Sequence, residues 1–223
     1  MAKPTGTLGI NKVIVQENGT VAHSFEKIIF SKTKDEIEAM MVDSFISSMN
    51  ALMLPHGIEW FMSNPVPNIE NDFDFTVTLP NGNKAWLELM EIAPLHLFGG
   101  YEKVPPKYKP YELAQIILEM IMKKAVRYSG AINRELHLLT YITHWGFIPS
   151  KSIIELLQYF LGHQKHPFNG IYLFMPIEQG VGDGRVIFPI DSQQMIGFDP
   201  ALYKENEVIN LDPTKWSLES PTK

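Results

Sequence analysis

Apolar and polar residues alternate over residues 8–15 and again over residues 21–30, with Glu17-Asn18-Gly19-Thr20 between the two runs. A period of two marks half-buried strands, and Asn-Gly between them marks a hairpin. The period then changes. Ile37, Met41, Val42, Phe45, Met49 and Leu52 recur at helical spacing, and Thr33 with Glu36 three residues on forms a capping box at the start. Pro55, His56 and Gly57 end this helix. Residues 58–62 read as a short strand, and Asn64, Pro65 and Pro67 as a loop. Phe73, Phe75, Val77 and Leu79 alternate with Asp72, Asp74, Thr76 and Thr78, which predicts a second strand. Pro80-Asn81-Gly82-Asn83 turns the chain into a third strand over residues 85–92.

Residues 94–109 are irregular, with Gly99-Gly100 and Pro105-Pro106. Pro110 then opens a second long helix at a position where proline is tolerated; it runs to about Tyr128 and is closed by Ser129-Gly130. A strand over 136–143 and a loop over 145–149 follow. Ser152 and Glu155 cap a third helix that ends near Leu161-Gly162. Residues 171–175 and 185–190 form another strand pair around a turn containing Gly182-Asp183-Gly184. The polar stretch 199–223 reads as an extended arm beside a single domain over 1–198. Helices between strands predict an α/β fold with a mixed central sheet.

With 45 % hydrophobic and 20 % charged residues among 223, the chain can bury a core. The absence of cysteine excludes disulfides, thiolate metal sites and cysteine nucleophiles. Nineteen Lys and Arg against 25 Asp and Glu, a formal charge of −6, exclude a general nucleic-acid coat and leave room for a local basic patch. Met1 to Gly6 carries no apolar signal core, and no later run reads as a membrane span. The expectation is a cytoplasmic protein with no membrane partner.

Charged residues stand where packing would not put them. On a helical wheel Glu38 falls inside the apolar sector of the first helix, and Lys124 inside that of the second, which Leu113, Ala114, Ile117, Met120, Ile121 and Tyr128 define. A buried carboxylate is costly unless paired or metal-bound, and a lysine on such a face either snorkels to the rim or finds carboxylates. Asp72 and Asp74 share one strand, and Glu88 and Glu91 lie in the next. Acids meeting on one sheet face make a hard-oxygen site suited to Mg²⁺. A three-residue loop, Asn81 to Asn83, puts Asp74 on one face with Glu88, while a two-residue Asn81-Gly82 turn puts it with Glu91. Glu88 is favoured, because Leu87 and Leu89 then share the core face with Phe73, Phe75 and Val77.

Over residues 33–143, the order helix, three strands, helix, strand, with Asp74 in the second strand and Glu88 in the third, resembles the PD-(D/E)XK nuclease superfamily. The resemblance implies a restriction-endonuclease-like αβββαβ core and hydrolysis of DNA phosphodiesters with Mg²⁺ or Mn²⁺ held by Asp74 and Glu88. Members carry a lysine two residues after the second acid, and Met90 stands there. Variants take that lysine from the following helix or add a Glu from the first, and Lys124 and Glu38 match those variants. Without such replacement the resemblance implies an inactive binding or assembly module. Residues 101–109 interleave cations with aromatics, and Lys103, Lys107, Tyr108 and Lys109 suit phosphate contact and base stacking, or a solvated proline-rich loop. His163 and His166 read as loop residues rather than a zinc pair. DNA is the expected partner, and a homodimer is compatible with the chain.

Overall fold

The computed structural model describes residues 7–57, 61–69, 73–94, 100, 103–105, 107–128, 130 and 133–216. In chain order its elements are β1 (Gly9–Val15), β2 (Val21–Lys27), α1 (Lys34–Met53), β3 (Ser63–Pro67), β4 (Phe75–Thr78), β5 (Lys84–Glu91), β6 (Lys107–Tyr108) and α2 (Pro110–Val126). They continue as β7 (Leu136–Tyr141), α3 (Lys151–Gly162), β8 (Gly170–Glu178), β9 (Val181–Phe188) and β10 (Val208–Ile209).

The central sheet has the order β3-β4-β5-β7-β8-β9. β3, β4 and β5 form an antiparallel meander, β5, β7 and β8 run parallel, and β9 returns antiparallel on β8. The fold is therefore mixed α/β with a mixed sheet. Register sorts the side chains. Leu87 pairs with His137 and Leu89 with Leu139, which pairs with Tyr172, so these residues share one face. Trp86, Glu88, Met90 and Leu138 occupy the other. On the first face α1 packs through Phe45, whose ring lies 5.4 Å from Tyr172 and 6.0 Å from Phe174. The two parallel crossovers advance in the same direction across the sheet, so their right-handedness puts α2 and α3 together on the second face. Tyr111 of α2 meets Phe160 of α3 edge-on at 5.6 Å.

Local chemistry explains most boundaries. The Thr33 hydroxyl accepts from the Glu36 N–H at 3.3 Å and starts α1. The helix tightens into a 3₁₀ turn at Leu54–His56 and stops at Gly57, whose φ of 78° is open to glycine. Pro110 opens α2 at its first turn. Leu52, expected on the apolar stripe, is 52 % exposed in the last turn of α1, at the rim of that stripe. Lys34–His56 is long and apolar enough by composition to cross a membrane, contrary to the sequence reading. Here Met41, Val42, Phe45 and Met49 are buried against the sheet and its surroundings.

Several segments differ from expectation. The first core strand is β3 at 63–67, displaced from 58–62; residues 58–60 lie outside the described residues. Pro65 and Pro67, which suggested a loop, are tolerated because β3 is an edge strand and pairs on one side only. Asn50 of α1 fixes the entry to β3, donating to the Met62 carbonyl at 3.2 Å and accepting from the Phe61 N–H. Gly182 and Gly184 lie within β9, not in a turn. A Cβ on Gly184 would stand 2.6 Å from Met49 Sδ, so the missing side chain lets α1 approach the sheet. The cap of α3 is Ser150 rather than Ser152, and Trp145–Phe147 is a 3₁₀ turn. The C-terminal arm folds back: β10 pairs with β6, and Asn210 donates to the Pro105 carbonyl at 3.0 Å.

Candidate functional site

The site forms where β4 stops short. Phe75 opposite Leu87 is the last pair of the β4–β5 ladder at this end. Trp86 N–H bonds across to Glu135 on the β7 side, so two-residue alternation turns the N–H and C=O of Leu87 and Leu89 toward β4. Leu89 lies beyond the last β4 residue, and side chains take the place of the missing strand. Asp74 Oδ2 accepts from the Leu89 N–H at 2.7 Å, and the Lys124 ammonium donates to the Leu89 carbonyl.

The same ammonium binds the acids. Lys124 Nζ lies 2.6 Å from Glu88 Oε1 and 3.9 Å from Asp74 Oδ2. The second Glu88 oxygen, Oε2, accepts from the Asp74 N–H at 3.3 Å. Three oxygens, two from β5 and one from Asp74 just ahead of β4, thus converge on one cation supplied by α2. Asp74 and Glu88 meet across a three-residue loop, which falls one residue earlier than the expected Asn81 to Asn83. The loop is Pro80-Asn81-Gly82, closed by the Leu79 N–H to the Asn83 carbonyl at 2.9 Å. Glu91, the alternative partner, belongs to the opposite face, where the Thr143 hydroxyl donates to it. Asp72 lies outside the described residues.

Burial raises the Glu88 pKa above the ordinary carboxylate range; the charge and hydrogen bond of Lys124 oppose it, Asp74 reinforces it, and a hydrogen bond from Tyr128 opposes it. Tyr128 was legible in the sequence only as a member of the α2 apolar sector. It is an aromatic with a polar tip, and the tip reaches Glu88. Its ring stacks 5.0 Å from Phe73, the residue before Asp74; Phe73 stacks 4.9 Å from Trp86, and Arg134 caps Trp86 at 4.5 Å. One aromatic column therefore supports the segment that presents both acids.

Glu38 is buried on α1, 3.2 Å from Lys34 Nζ, and accepts from the Tyr141 hydroxyl at 3.5 Å. Burial raises its pKa, the Asp74 charge adds to that, and Lys34 opposes both. It lies within the electrostatic reach of Asp74 and Lys124 without joining the ion-paired knot. The loop cations are placed differently. Lys107 pairs with Glu207 at 3.5 Å and Lys109 with Glu205 at 3.0 Å, both carboxylates of the C-terminal arm. Tyr108 is half-buried, and burial raises its pKa, while Lys103 is exposed.

Among the described residues no group of three or more His, Asp or Glu side chains is arranged to hold a metal ion. The donors at Lys124, two carboxylates and one carbonyl, nonetheless fit Mg²⁺, which binds through one or two carboxylates and keeps its waters. No family model, curated protein or solved structure matches this chain.

Proposed function

We propose that the chain is a divalent-metal-dependent phosphodiesterase acting on DNA, built on a restriction-endonuclease-like core of α1, β3, β4, β5, α2 and β7. The observation that supports this most is the convergence of Asp74, Glu88 and the Leu89 carbonyl on a single cation. Hard oxygens from β5 and from the residue just ahead of β4 hold the ammonium of Lys124, and the same donors suit Mg²⁺ or Mn²⁺. When bound, that ion would supply an activated water and neutralise charge on the leaving oxygen. Asp74 and Glu88 would hold it. Lys124 offsets negative charge on the phosphate undergoing attack. Tyr128 fixes the Glu88 carboxylate, and Glu38 orients a water at the edge of the cluster. Lys124 in this reading replaces the motif lysine absent at Met90.

The test is cleavage of supercoiled plasmid, linear duplex and single-stranded DNA with Mg²⁺ or Mn²⁺, compared with Asp74→Asn. Asparagine keeps an acceptor for the Leu89 N–H, whereas alanine leaves that group unpaired at a cost of about 1–3 kcal/mol. Expected is metal-dependent cleavage in the native chain and none in a folded Asp74→Asn. One observation favours a second reading, an inactive binding or assembly module: the ammonium already satisfies Glu88 and Leu89 and closes the broken ladder. Absence of both cleavage and Mn²⁺ binding by calorimetry would decide for that module.

A further inference from the structure

A cleft of 620 Å³ opens beside Lys124, between the exposed side of α2 and Met90 of β5. Its floor is apolar, made by Met90, Ile116 and Met120, and Lys123, Arg127 and Glu119 line it as well. Lys123 and Arg127 make no ion pair among the described residues, whereas Lys107 and Lys109 are each held by a carboxylate of the arm. In a chain of net charge −6, Lys123 and Arg127, one helical turn apart at the end of α2, set two positive charges on one edge of this cleft. At a rise of about 1.5 Å per residue, Lys109 at the start of α2 stands roughly 20 Å along the helix from Lys124.

We infer that this cleft binds single-stranded DNA and feeds it to the Asp74–Glu88–Lys124 cluster; the inference rests on the phosphodiesterase reading for its destination, not for the binding itself. Lys123 and Arg127 take successive phosphates. The Met90, Ile116 and Met120 floor takes unstacked bases, and the Glu119 carboxylate accepts from exposed base amino groups. A duplex fits this surface poorly. It presents sugars and phosphates outward and keeps its base faces stacked inside, so an apolar floor would meet only charged backbone.

The test is fluorescence anisotropy in EDTA with a labelled mixed-sequence DNA oligonucleotide, its blunt duplex and the matching RNA strand, for the native chain and Lys123→Gln/Arg127→Gln. Expected is single-stranded DNA bound at least about tenfold more tightly than duplex. In the double variant this binding should weaken about tenfold, and the salt slope should fall by about 1.4, the value for two single-strand phosphate contacts. Lys151→Gln, remote and paired with Glu155, should bind as the native chain does. Duplex binding as tight as single strand, an unchanged double variant, or no binding at all would overturn the inference. So would loss of binding in Lys107→Gln/Lys109→Gln in place of the cleft variant, or a preference for the RNA strand. Metal plays no part in this measurement, so absent cleavage with intact binding defeats the phosphodiesterase reading alone.

Discussion

At the scale of single residues, the cluster is held by side chains that stand in for backbone. Asp74 and Lys124 complete a ladder that β4 abandons, and Glu88 is fixed from three directions by Lys124, the Asp74 N–H and Tyr128. Tyr128 is the member whose contribution can be isolated, because Tyr128→Phe keeps the stack on Phe73 and removes only the hydroxyl. A donor to a carboxylate favours its charged form, so losing that donor shifts the balance toward the protonated acid. Tyr128→Phe should therefore raise the Glu88 pKa further above its ordinary range while destabilising the fold by only about 1 kcal/mol. Carboxyl ¹³C NMR titration of the two proteins reads the shift, and a lower or unchanged Glu88 pKa in the variant would show that the hydroxyl does not hold it.

At the scale of elements, the position of α1 depends on what β9 lacks. Gly184 faces Phe45 and Met49 of α1, and a Cβ there would come 2.6 Å from Met49 Sδ and 3.5 Å from the Phe45 ring. Gly184→Val must push the helix off the sheet or force off-rotamer side chains, at a cost of about 1–3 kcal/mol. Urea denaturation should show a lower midpoint with an unchanged slope. Val181→Thr, at the exposed start of the same strand, should change the midpoint little. Because α1 also carries Glu38, a displaced helix moves that carboxylate relative to Asp74.

At the scale of the whole molecule, stability is tied to neutral histidines. His144 is buried, its Nδ1 accepts from the Gly146 N–H at 3.0 Å, and burial pushes its pKa down to about 4. Burial also lowers His137 and His166. A base whose folded pKa is depressed binds its proton more readily when unfolded. The stability it contributes is full above the unfolded value of about 6.5 and is lost as pH falls toward the folded value. This contribution to the unfolding free energy measured by urea should therefore decline from pH ~6.5 to pH ~4, against the opposite trend from Glu38 and Glu88, whose raised pKa values favour the folded state as pH falls. His144→Asn, which keeps a capping acceptor and does not titrate, should flatten that decline. A difference in unfolding free energy between the native chain and His144→Asn that stays constant from pH ~6.5 to pH ~4 would mean that the His144 ring is solvated.

The sequence by itself determined the elements whose signal is local. Hydrophobic period located the hairpin and the three long helices, Thr33 marked the start of α1, and Pro110 the start of α2. A three-residue loop brings Asp74 and Glu88 together whether it falls at Asn81 to Asn83, as expected, or at Pro80 to Gly82, as found, and helical phase turned Lys124 inward, because both follow from fixed repeats of two and about 3.6 residues. Other features belong to the tertiary structure. Whether prolines sit in a loop or a strand depends on which strand lies at the edge, and β3 became that edge only once the sheet order was set. Gly182 and Gly184 resemble a turn until α1 lies over them. Tyr128 counts as apolar until its hydroxyl meets Glu88. Lys107 and Lys109 look free until the arm returns some hundred residues later to pair them. Each of these depends on a neighbour distant in sequence, and no local pattern encodes which distant surface a side chain will meet.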